Sequence, residues 1–188
     1  MPKVLTNLDL NGNKIVGLNF PLADTDMANK LYADKRMTPM QTVKGTTTQT
    51  NTSATVMTAI TGLTFSLFPG VLYHFKFMGT WQTNNTAGGF VMGFTTPPAT
   101  TYCSWNTHIA SATAAAGTDY WHQNSANALG TIIGNTGAPN TATNYAWEVE
   151  GFVQASGLGN LTLGFGTSSA GRTATNNAGC MGMLTFVG

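Results

Sequence analysis

From Ser53 onward the chain reads as short runs of β-favouring residues broken by glycine and proline. The clearest run is Val71–Gln82. Its odd positions are Val71, Tyr73, Phe75, Phe77, Gly79 and Trp81; its even ones are Leu72, His74, Lys76, Met78, Thr80 and Gln82. A period of two sends successive side chains to opposite faces of a strand, which predicts an aromatic core face and a mixed outer face. Asn144–Gln154 repeats the pattern, with Tyr145, Trp147, Val149, Gly151 and Val153 inward and Glu148 and Glu150 outward. Val56–Ile60, Leu63–Phe68, Phe90–Thr95, Leu161–Phe165 and Cys180–Val187 are shorter β-rich runs, with Pro69-Gly70 and Pro97-Pro98 as stops. Ala99–Thr143 is less regular, with small residues, scattered aromatics and several glycines. Seven to nine strands at short spacing predict a mainly β protein, a β-sandwich of jelly-roll-like type over 53–188.

The first 36 residues follow a different rule. Leu8 and Leu10 precede Asn11-Gly12, and Ile15 and Val16 follow; an Asn-Gly step between apolar runs is a strong hairpin signal because both residues tolerate positive φ. Pro21 stops any ladder, and Asp24 or Thr25 can cap a helix whose first turn gains the charge of Asp26. Met27, Ala28, Leu31 and Tyr32 form one apolar stripe, and Lys35 and Arg36 suit the negative end of the helix dipole. A helix of roughly eleven residues is marginal alone in water. Its stripe needs a partner, either the rest of its own domain or further copies of itself. Residues 37–52 show no periodicity and read as a linker or extended arm.

Charge divides the chain at the same place. Residues 1–44 carry Lys3, Lys14, Lys30, Lys35, Arg36, Lys44, Asp9, Asp24, Asp26 and Asp34, whereas 45–188 carry only Lys76, Arg172, Asp119, Glu148 and Glu150. That is far below the roughly one charged residue in four of ordinary domains, and it leaves a surface of Thr, Asn, Ser, Gly and Gln. Such a skin suits a permanent assembly, where repulsion between free copies matters less. A net charge of +1 with no basic cluster gives no footprint for nucleic acid. No apolar run is long enough to be expected to cross a membrane, and no basic-then-apolar leader is expected at the N-terminus.

Candidate chemistry is sparse. His74, His108 and His122 are far apart in sequence, and Cys103 and Cys180 form no Cys-x-x-Cys pattern, so no metal site or cofactor is expected. The two cysteines are expected to be free thiols, Cys180 as a small buried side chain. Glu148 and Glu150 point the same way from one strand and could serve acid–base work on a glycan, but a solvated or interface face is the expected role. No catalytic residue is assigned. Binding has more to work with: Tyr102, Trp105, Tyr120, Trp121 and His122 stand amid Ser, Asn, Thr and Ala. Aromatic platforms beside amides can stack on sugar rings and hydrogen-bond their hydroxyls, although rings of this size also fill cores and seams between subunits.

The opening segment also carries a resemblance. Leu10-Asn-Gly-Asn-Lys-Ile15, then Pro21, Ala23, Asp26, Ala28, Lys30, Tyr32 and Asp34 resemble a segment recurring in tailed-bacteriophage fibre and appendage proteins, with Met27 and Ala33 as apolar departures from it. More loosely, Trp147-Glu-Val-Glu-Gly-Phe-Val-Gln-Ala-Ser-Gly157, Leu161-Thr-Leu-Gly-Phe-Gly166 and Ala178-Gly-Cys-Met-Gly-Met-Leu184 look like the closing module of phage structural proteins, Cys180 standing where Ser is commoner. The resemblance implies a homotrimeric virion protein assembled in the host cytoplasm, with 1–36 as anchor and trimerisation segment through Asp24, Asp26, Met27, Leu31 and Tyr32. Its implied partners are copies of itself and other phage tail or capsid proteins. Two jobs stay open: a short tail fibre whose β head binds a host-surface glycan or protein, or a capsid head fibre, collar or baseplate adaptor with a purely structural role.

Overall fold

The computed structural model describes residues 40–112, 119–135, 141 and 143–187. The expected hairpin, the capped helix and the residues Asp24, Asp26, Met27, Leu31 and Tyr32 all lie outside these described residues. Within them the protein is mainly β, in chain order β1 (Met40–Lys44), β2 (Gln49–Asn51), β3 (Thr58–Leu67), β4 (Leu72–Thr83), β5 (Phe90–Thr95), β6 (Thr100–Ala112), β7 (Asp119–Ala126), β8 (Ile133–Gly134), β9 (Tyr145–Ala155), β10 (Gly159–Thr167), β11 (Ala174–Asn176) and β12 (Met181–Phe186). They form two antiparallel sheets. The larger runs β1-β12-β4-β9-β6-β7, with β11 against β4 and β2 against β11; the smaller runs β3-β10-β5-β8. From β2 onward every connection passes from one sheet to the other, except the β6–β7 hairpin and the β11–β12 turn.

The alternation in β4 and β9 does what it predicts. Tyr73, Phe75, Phe77 and Trp81 of β4, with Tyr145, Trp147, Val149 and Val153 of β9, are buried. They meet the inner face of the smaller sheet through aromatic contacts: Phe77 to Phe65 at 5.4 Å, Phe75 edge-on to Phe94 at 5.5 Å, and Trp81 stacked on Phe90 at 4.9 Å. Tilted and offset pairs of this kind add to the burial energy of the rings themselves. Gly79 faces inward, opposite Trp147 in the β4–β9 register. A Cβ there would lie 2.6 Å from Trp147 Cζ2, so the missing side chain is the space the indole occupies.

Two expectations change. Residues 40–51, read as part of a linker, are β1 and β2: β1 pairs along β12 and β2 along β11, so the compact unit begins at Met40. The two runs on either side of Gly62 are one strand, which Gly62 carries through at φ 90°, the left-handed region open to glycine. Cys103 and Cys180 are buried free thiols, as expected. Within the less regular middle, β6 and β7 form a long hairpin on the edge of β9.

Candidate functional site

The β4–β9–β6 register brings the charges of the β unit together on the outer face of the larger sheet. Lys76 lies opposite Glu150, and Glu150 opposite Asn106. One row over, Met78, Glu148 and His108 align; on the other side, His74, Phe152 and Ser104 do. Lys76 Nζ sits 2.9 Å from Glu148 Oε2 and 3.7 Å from Glu150 Oε2. His74 Nε2 lies 2.8 Å from Glu150 Oε1, and His108 Nδ1 lies 3.7 Å from Glu148 Oε1. Three of the five charged residues of 45–188, and two of the three histidines, thus form one half-exposed ladder.

Its electrostatics are mutual. Partial burial pushes the Glu150 carboxyl up, but the His74 hydrogen bond, with the Lys76 charge beside it, outweighs this and holds it below the ordinary carboxylate value. With Glu150 ionised, its oxygens only accept, so His74 Nε2–H is the donor. The hydrogen bond to Glu148, joined by the charge of Glu150 and opposed by partial burial, holds the Lys76 ammonium above its ordinary value. The His74 ring also packs on Phe152 at 4.9 Å. This arrangement can present hydrogen bonds and paired charges to something laid on the face. Among the described residues no group of three or more His, Cys, Asp or Glu could hold a metal ion.

The aromatic residues singled out for binding do not form one site. Tyr102 is exposed at 50%, on the outer face beside Gln154 and diagonal to Phe152, which is itself 40% exposed. Trp105 is corrected: it is only 2% exposed, edge-on to Phe94 at 5.1 Å, with its indole N–H donated to the Ala128 carbonyl. It is a core residue because its position falls on the inward phase of β6, with Cys103 and Ile109. Tyr120, Trp121 and His122 lie on β7 opposite Ser111, Ala110 and Ile109, toward the far end of the hairpin. Nine residues of extended strand separate Tyr102 from Ser111, roughly 30 Å. Sequence reasoning missed Phe152 and the pairing of Lys76 with both glutamates. Each side's outward charges were legible; that the two strands are neighbours was not.

Neither known protein families, curated proteins nor solved structures include a match to this chain.

Proposed function

We propose that the chain is a structural protein of a tailed-bacteriophage virion: a short, tail-fibre-like homotrimer with a jelly-roll-like head that mediates adhesion to the host surface. The geometric observation that carries the adhesion reading is the placement of the β6–β7 hairpin. β1 begins near the end of the sandwich where β4 starts and β9 finishes, since Met40 aligns with Thr185 and Thr185 with His74. The paired end of the β6–β7 hairpin, where Ala112 aligns with Asp119 and Tyr120, Trp121 and His122 follow in register, lies toward the opposite end, where β4 finishes and β9 starts. That end lies away from the point where β1 begins.

Two further features support the reading. The blocks β1-β12-β4-β9 and β3-β10-β5-β8 carry the strand order of two interlocked Greek keys, with the hairpin as an addition. The opening motif, Leu10 to Asp34, resembles the fibre segment independently of the head. The head acts without cofactor or catalysis, and weak binding per site becomes effective through several copies. Full-length protein, fluorescently tagged, is expected to label susceptible cells and to block infection. If there is no labelling at about micromolar concentration, where multivalent binding of this kind still registers, adhesion fails and the structural role as head fibre or adaptor takes its place.

A further inference from the structure

Adhesion at the hairpin end leaves the outer face of the larger sheet without a role, although that face holds most of the unit's charge. Read across the strands, β1 brings Lys44, β12 brings Met181, Met183 and Thr185, β4 brings His74, Lys76 and Met78, and β9 brings Glu148, Glu150 and Phe152. Lys44 and Lys76 stand on the β1–β4 side and both carboxylates on β9, so the face is formally neutral yet divided into a cationic and an anionic half. We infer that this face is where copies of the chain associate, the β9 column of one copy seating over the β4 column of the next.

Two observations select a second copy as occupant. A neutral face with separated halves is complementary to itself, and offers little to a polyanion or a polycation. Around the ladder lie exposed Met40, Met181 and Phe152 and half-buried Met78 and Met183, unbranched or flat apolar groups that adapt to a partner surface. The intramolecular ion pairs persist in the contact, so few charges enter it unpaired. The inference rests on the homotrimer reading only for the existence of self-association; it adds the face.

The test uses the full chain and two readouts: mass by light scattering, and methionine oxidation by dilute peroxide followed residue by residue. The buried Met92 serves as the protected reference. Association through this face predicts a multiple of the chain mass, with Met181 oxidised at least several-fold more slowly than in a Phe152→Glu/Met183→Glu variant, and Met183 more slowly than in a Phe152→Glu/Met181→Glu variant. Both variants change outward positions, and an unchanged melting temperature checks that they fold. A multimer whose Met181 and Met183 oxidise as fast in wild type as in these variants overturns the face and leaves the assembly standing. A monomer overturns both. Protection that arises only when a host glycan preparation is added reassigns the face to a receptor and also overturns the inference.

Discussion

At the scale of single residues, the ladder ties stability to pH in a direction that can be worked out. Glu150 titrates lower folded than unfolded, so its contribution is complete above the ordinary carboxylate value of 4.5 and is lost as pH falls through its lower folded value. Lys76 titrates higher folded, so its contribution is complete below 10.5 and lost as pH rises beyond. Burial pushes the Cys103 thiol up to about 11, so stability is also lost between 9.0 and about 11, as the unfolded chain ionises first. Melting temperature is therefore expected to fall on both sides of a broad plateau, and Cys103→Ala should remove the earlier part of the alkaline fall. If the alkaline limb of Cys103→Ala matches that of wild type, the thiol is not its source. His74→Phe removes the leading cause of the low Glu150 value, so the carboxyl should titrate higher in a ¹³C NMR titration; an unmoved value would refute the pairing. Gly79→Ala, which drives a methyl into the Trp147 ring, is expected to destabilise by about 1–3 kcal/mol in urea denaturation.

Elements were legible wherever large apolar side chains marked the period, and obscure elsewhere. β4 and β9 stand out because aromatic and branched residues occupy successive inward positions. β6 alternates as strictly, but its inward set is Cys103, Trp105, Thr107 and Ile109, with a buried hydroxyl and a small thiol where bulky groups would announce a strand. β1 and β2 are short and held by pairing with strands more than a hundred residues away, which no local pattern encodes. The ladder failed to show for the same reason: both sets of charges were visible, but cross-strand register is a long-range fact. The hairpin is joined to the smaller sheet by Asn124, whose Nδ2 donates to the Gly134 carbonyl at 2.8 Å. Asn124→Ala should cost about 1 kcal/mol. Its specific signature would be faster amide exchange in 119–126 and 133–134, with β4 and β9 unchanged. Uniform acceleration across all strands would show that the hairpin is not a separable unit.

For the whole molecule, the division of charge separates two kinds of contact by their response to salt. The turns at the hairpin end are built mostly from Thr, Asn, Ser, Ala and Gly, with Asp119 and Arg172, of opposite sign, the charges nearby, so the recognition proposed there would depend mainly on hydrogen bonds and stacked rings. Contacts of that kind are little screened, whereas exposed ion pairs weaken as the screening length contracts from about 10 Å at 0.1 M salt to about 3 Å at 1 M. The outer face of the larger sheet holds Lys44, Lys76, Glu148 and Glu150, and association through it carries that dependence. Cell labelling by the tagged protein, held at a concentration where its mass does not change, is therefore expected to stay within about twofold across that salt range. Lys76→Met, compared at a concentration where its mass equals that of wild type, should leave the labelling intact, while coming apart more readily on dilution. The reverse result, labelling that falls steeply with salt and is lost in Lys76→Met, would move recognition from the neutral end of the sandwich onto its charged face.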